Sequence, residues 1–164
     1  MNIGFFMCMR ADPQPFLHAA SLVMDARRVM PDVPVVQLTD RTTPVVPGVS
    51  EVRRLDHGPM LQRRLEHYAA VGMPKPIRPE GSDVWRSEEW LLVDTDVSLR
   101  QDVRSVFDDH AFDVALTDRH WSHLPQGDAV MHTMPFNTGI AFSRSGVFWQ
   151  TALDEPARGI VQRA

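Results

Sequence analysis

The 164-residue chain is 43% apolar and 23% charged, with a formal charge of -4, which suits one globular domain with a single buried core and excludes disordered and fibrous classes. Its basic residues are scattered along the sequence instead of forming a stripe, so nucleic acid is excluded as the expected partner. Cys8 stands alone, no apolar run reaches the roughly 20 residues of a membrane helix, and Met1 to Met9 lack a basic leader with a cleavage site; no disulfide, no cysteine zinc site, no membrane span and a cytoplasmic location are therefore expected.

Asn2 to Met9 is a compact apolar run ending at the polar turn Arg10-Ala11-Asp12-Pro13, which predicts a short buried strand. Pro15 opens a helix in which Phe16, Ala19, Ala20, Leu22, Val23, Ala26 and Met30 recur at helical spacing until Pro31. Val33 to Leu38 is β-branched and stops at Thr39-Asp40, completing a βαβ unit with that helix as the crossover. After the proline-broken segment Thr43 to Gly48, Glu51 to Leu55 is a further strand and Met60 to Val71 a helix closed by Gly72. Met73 to Gly81, with its prolines, is a loop. Trp90 to Val93 runs without a polar residue into Asp94, as a central parallel strand covered on both faces does. Ser98 and Gln101 have capping-box spacing, and Val103, Val106 and Phe107 supply the stripe of a short helix ending near Asp109. Phe112 to Leu116 follows as a strand. Thr117 to Thr133 is a long functional loop carrying His120, Trp121, His123 and His132, before a last strand at Gly139 to Phe142 and a last helix at Val147 to Leu153. The alternation predicts an α/β fold, a mostly parallel sheet with helices on both faces, whose ligand lies beyond the carboxyl ends of the strands.

Asp94-Thr95-Asp96 falls at such an end, on the most apolar strand. Two carboxylates one residue apart converge once the strand gives way to a loop, and a cation relieves their repulsion. Oxygen donors suit magnesium or manganese, which share a few carboxylates with substrate phosphates and neutralise charge on a diphosphate leaving group. Read blandly, the pair merely ends a strand and starts a turn, since Asp favours turns.

The segments Trp90-Leu-Leu-Val-Asp-Thr-Asp96, Phe112-Asp-Val-Ala-Leu116 and Phe136-Asn-Thr-Gly-Ile-Ala-Phe-Ser-Arg144 resemble the GT-A nucleotide-diphospho-sugar glycosyltransferases, over about Glu89 to Trp149. The resemblance implies a three-layer Rossmann-like sheet and transfer of a sugar from a nucleotide-diphosphate donor to an acceptor, with Mn2+ or Mg2+ as cofactor. It implies that Asp96 is the principal metal ligand, that Asp94 shares the metal or the ribose, that Asn137 faces the transferred sugar, and that Gly139 lets backbone approach the substrate. Arg10, Asp12 and Asp40, after the first two strands, fall where relatives bind base and ribose. Arg63 and Arg64 precede the motif on a helix and could reach a pyrophosphate, although a solvated helix face is as good an explanation. Relatives often draw a further metal ligand, a His, from beyond the last helix; here none follows Trp149, so either His120, His123 or His132 substitutes or the single domain is shortened at its carboxyl end. His120 and His123 as a zinc pair, Trp85 and Trp90 as sugar-stacking rings and Cys8 as anything but a small core residue are the weaker readings.

Two rivals remain. Leu91 to Leu99 also resembles the first motif of haloacid-dehalogenase phosphatases, with Asp94 as nucleophile and Asp96 as acid/base, but the only Lys precedes the motif and no clean acidic pair follows Asn137. The other rival is a remnant that binds nucleotide sugar without chemistry. Donor base and sugar, acceptor, stereochemical outcome and oligomeric state are not encoded in any motif.

Overall fold

The computed structural model describes residues 1–8, 13–56, 58–73, 75–76, 85–86, 88–118 and 136–154. Eight strands and four helices occur among them: β1 (Asn2–Met7), α1 (Gln14–Val29), β2 (Val35–Asp40), β3 (Glu51–Leu55), α2 (Met60–Gly72), β4 (Lys75–Pro76), β5 (Trp85–Arg86), β6 (Trp90–Val93), α3 (Ser105–Asp109), β7 (Val114–Asp118), β8 (Phe136–Ser143) and α4 (Gly146–Asp154). Six strands form one sheet in the order β3-β2-β1-β6-β8-β7. β1 pairs in parallel with β2 and β6, and β2 with β3; β8 alone runs backwards, antiparallel to both β6 and β7. The fold is therefore α/β with a mostly parallel sheet.

The period-two alternation of the central strands sorts their side chains onto two faces. Ile3, Phe5, Met7, Val35, Leu91 and Val93 face α1, where they meet Ala19, Leu22, Val23, Ala26 and Met30. Val36, Leu38, Trp90 and Leu92 face the opposite side and meet Tyr68, Ala69 and Val71 of α2 and Trp149 of α4. Both faces are thus covered, which explains why β2 and β6 are buried at every position. Each fully buried aliphatic or aromatic side chain here contributes on the order of 1.5 to 3 kcal/mol of burial free energy. On the second face α2 and α4 pack backbone to backbone, since a Cβ on Gly146 would lie 2.5 Å from the carbonyl carbon of Gly72.

Several boundaries move. The first strand ends at Met7, two residues early, and the second begins at Val35 and takes in Thr39 and Asp40. Within the predicted proline-rich loop Lys75–Pro76 forms β4, which pairs with β5 beyond the loop's end. The capping box at Ser98 does not form: the Ser98 hydroxyl donates to Asp25 Oδ2 at 2.7 Å, and Arg28 Nη2 bonds the Leu99 carbonyl at 3.2 Å. With Leu99 buried against α1, this stretch is pinned non-helically across that helix, and α3 starts only at Ser105. β7 begins at Val114 and runs on to Asp118, while β8 begins at Phe136; the rest of the expected loop, with His120, Trp121, His123 and His132, lies outside the described residues. No helix among the described residues is long and apolar enough to cross a membrane.

Candidate active site

The strand order reverses direction about β1, whose neighbours β2 and β6 are distant from each other in sequence, and an open α/β sheet forms its ligand crevice at such a point. A crevice of about 480 Å³ opens there, lined by Phe6, Met7 and Cys8 after β1, by Gln14, Pro15 and His18 of α1, by Met60, Leu61 and Arg64 of α2, and by Asp94, Thr95 and Asp96 after β6. A narrower recess of about 110 Å³ adjoins it across Phe6, Cys8 and Met60, and reaches Thr39, Asp40, Asp56, Arg63 and His67.

The Asp94 to Val97 segment is a turn, closed by the Val97 amide donating to the Asp94 carbonyl at 3.2 Å. Its acidic side chains do not cap that turn. Asp94 Oδ1 instead takes an ion pair from Arg64 Nη2 at 2.6 Å, and Asp96 is exposed on the crevice wall. Burial pushes the Asp94 carboxyl above the usual carboxylate range, Arg64 pulls against this and the charge of Asp96 adds to it. The two carboxylates therefore feel each other across a small volume, the electrostatic condition that favours a cation.

The Asp94 amide donates to the Gly139 carbonyl at 2.8 Å, so the D-x-D turn and the Asn137-Thr138-Gly139 segment are bonded neighbours. Along β8 the pairing with β7 jumps from Leu116 with Ala141 to Thr117 with Asn137, leaving residues 138 to 140 as a bulge. Bulges of this kind re-aim backbone beside functional crevices. Of Asn137 only the backbone is described, and Arg10 and Asp12 lie outside the described residues.

Asp40 ends β2 in the recess and is 7% exposed. Its Oδ1 accepts from the Thr43 amide at 2.7 Å, the Thr42 amide at 2.9 Å and the Thr42 hydroxyl at 3.1 Å. Burial opposes its ionisation, but the Thr43 and Thr42 bonds outweigh burial and hold the carboxyl down at about 2. Arg63 lines the same recess and pairs with Glu66 on the next turn of α2. His67 Nε2 lies 3.0 Å from the Thr39 carbonyl, and burial lowers its pKa, so the ring is neutral and donates that bond.

Helical spacing of four pairs Arg63 with His67 toward the recess and Arg64 with Tyr68 toward the crevice. His67, His18 and Gln14 carry no motif and were not singled out in the sequence. Cys8 is not a core residue: it is half-buried, one residue past β1, and lines the crevice with Asp94, which is one residue past β6.

Among the described residues no three His, Cys, Asp or Glu side chains gather into a metal cluster. Two carboxylates converging on an open crevice nevertheless fit a hard ion that completes its shell with substrate phosphates and water, unlike an ion needing an all-protein cage.

The architecture is that of the GT-A fold, and it is shared with two solved structures. The chain is similar to the galactosyltransferase LgtC in complex with donor and acceptor sugar analogs, with a TM-score of 0.52 and 13% identity over 92% of this chain and 60% of that one. It is similar also to an active-site mutant of LgtC, with a TM-score of 0.51 and 14% identity over 92% and 59% of the two chains. The chain thus spans about three fifths of the length of these neighbours. No protein-family model and no curated protein matches it.

Proposed function

We propose that this chain is a metal-dependent glycosyltransferase domain that takes a nucleotide-diphospho-sugar into the crevice between the ends of β1 and β6. The observation that carries the reading is the placement of Asp94 and Asp96 on the wall of an open crevice at the sheet's reversal point, with Arg64 beside them. Asp96, exposed on the crevice wall, is the principal ligand for Mn2+ or Mg2+, and Asp94 shares the ion or the ribose. A bound ion would neutralise the charge that builds on the departing diphosphate. Arg64 offers its guanidinium fork to the same phosphates. The recess, with Arg63 and Asp40, offers polar partners to the nucleoside end of the donor, to which Arg10 is assigned as well. Gly139, bonded to the Asp94 amide, sets the distance between the motif and the sugar, which Asn137 faces. The likeness in fold to a galactosyltransferase bound to donor and acceptor sugar analogs supports the same direction. The substrates are accordingly a nucleotide sugar and an acceptor, and the lone cysteine suits a cytoplasmic setting.

The test is hydrolysis or transfer of UDP-, GDP- and CDP-sugars with manganese, beside hydrolysis of a phosphate monoester. Sugar release that requires manganese and disappears in Asp96→Ala supports the transferase. Monoester hydrolysis that disappears in Asp94→Ala replaces it with the phosphatase, and metal-dependent nucleotide binding without turnover replaces it with a binding domain.

A further inference from the structure

Arg64 occupies an unusual position for a residue that would meet a phosphate, because its charge is already spent on a carboxylate of the D-x-D turn. The guanidinium is held from two sides: Nη2 on Asp94 Oδ1 at 2.6 Å and Nε donating to the Tyr68 hydroxyl at 3.0 Å. Tyr68 is itself fixed, 1% exposed and stacked edge-on against Trp149 with centroids 5.0 Å apart. The Arg64 side chain is 18% exposed and that of Asp94 40%, so the pair is partly buried and is screened less than a surface pair. A divalent ion approaching Asp94 therefore meets a positive charge anchored on the same carboxylate. The two cations compete for one ligand and repel each other.

We propose that Arg64 is a built-in competitor for the divalent ion, so that metal and diphosphate enter the crevice cooperatively: the diphosphate draws the guanidinium off Asp94, and the freed carboxylate completes the metal's ligand set. This deepens the glycosyltransferase reading and rests on its metal site. Without an anion the crevice binds metal weakly, and without metal the diphosphate meets two carboxylates beside the Arg64 guanidinium. Coupling of this kind is reciprocal: whatever factor the anion adds to metal affinity, the metal adds to anion affinity. Tyr68 supplies the second resting place, since its hydroxyl keeps the guanidinium at the crevice wall while Asp94 is released. The device would keep a cell's free metal from occupying the crevice ahead of substrate.

The test measures manganese bound to the full chain by water-proton relaxation, first with manganese alone and then with inorganic pyrophosphate, corrected for the manganese–pyrophosphate complex in buffer. Wild type, Arg64→Met, Arg64→Gln and Asp96→Asn are compared, with circular dichroism confirming the fold of each; the two Arg64 variants guard against one of them misfolding. The competition predicts that removing the guanidinium tightens binding of manganese alone by about tenfold and that pyrophosphate, which tightens manganese binding to wild type by a similar factor, no longer does so in either Arg64 variant. If wild type binds manganese in an Asp96-dependent way and the Arg64 variants bind it equally well or more weakly, the competition is wrong while the metal site stands. If neither wild type nor the Arg64 variants bind manganese under any condition, both the competition and the metal reading fall.

Discussion

Gly146→Ala should destabilise the protein, although alanine is ordinarily the better helix residue. Gly146 opens α4 where it crosses the end of α2, and a Cβ there would lie 2.5 Å from both the Gly72 carbonyl carbon and the Met73 nitrogen, and 2.6 Å from the Ala69 carbonyl oxygen. All three are backbone atoms, so no rotamer change relieves the clash and the two helices must part by about 1 Å. Parting them opens the contact between Tyr68 and Trp149 and loosens both helices' hold on Trp90 and Leu92. Overpacking of this type costs about 1 to 3 kcal/mol, with the upper end apt for a rigid obstacle, against a gain of about 0.4 to 1 kcal/mol from the lower chain entropy of alanine. The net loss is about 2 kcal/mol, which lowers Tm by about 4 to 8 °C in a domain of this size. Thermal unfolding followed by far-UV circular dichroism measures it. Gly72→Ala, whose Cβ would meet the Gly146 nitrogen at 2.6 Å, should cost a similar amount, and the double variant less than the sum because one separation relieves both clashes. A Gly146→Ala protein that melts at or above the wild-type temperature would refute the close-packed crossing.

Asp40 stabilises the fold through its depressed pKa, so its contribution is complete above the ordinary value of 3.8 and is lost as pH falls toward about 2; urea titrations across that window should give an acid limb worth about 2 kcal/mol in wild type that is flattened in Asp40→Asn. Trp149→Phe removes the indole N–H bond to the buried Ser143 hydroxyl at 3.0 Å and should lower stability by about 1 kcal/mol, read as a lower urea midpoint at an unchanged m-value. Cys8 lines both the crevice and the recess, so a bound nucleotide diphosphate should slow its alkylation by iodoacetamide severalfold; equal rates with and without nucleotide would place the ligand elsewhere.

The layer architecture was legible because hydrophobic pattern is a strong signal where both faces of a strand are covered. Trp90 to Val93 was read with its observed bounds, and the D-x-D turn was placed at a strand end from the apolar run before it. The Ser98 helix start failed for a reason no local pattern contains: the hydroxyl finds Asp25, 73 residues away in sequence, and Leu99 is more stable buried on α1 than in a helical turn. The pairing of Arg64 with Asp94 was equally invisible, because it depends on how α2 lies over β6 and not on any spacing between the two residues. Cys8 was misread as core because strand ends cannot be fixed to a residue from sequence, and one residue decides whether a side chain is packed or faces the crevice. The bonds that Asp40 makes to Thr42 and Thr43 were not legible either, because an Asp that holds a turn looks the same in sequence as one that only faces a ligand.

The most direct measurement of the central claim is a thermal-shift titration of wild type and Asp96→Ala with UDP-, GDP- and CDP-sugars, each with and without manganese. The account predicts that at least one nucleotide sugar raises the wild-type melting temperature only when manganese is present, and that the rise vanishes in Asp96→Ala while the unliganded melting temperature stays within a degree or so, as expected for an exposed side chain. A stabilisation that survives both the removal of manganese and the loss of the Asp96 carboxylate would contradict it.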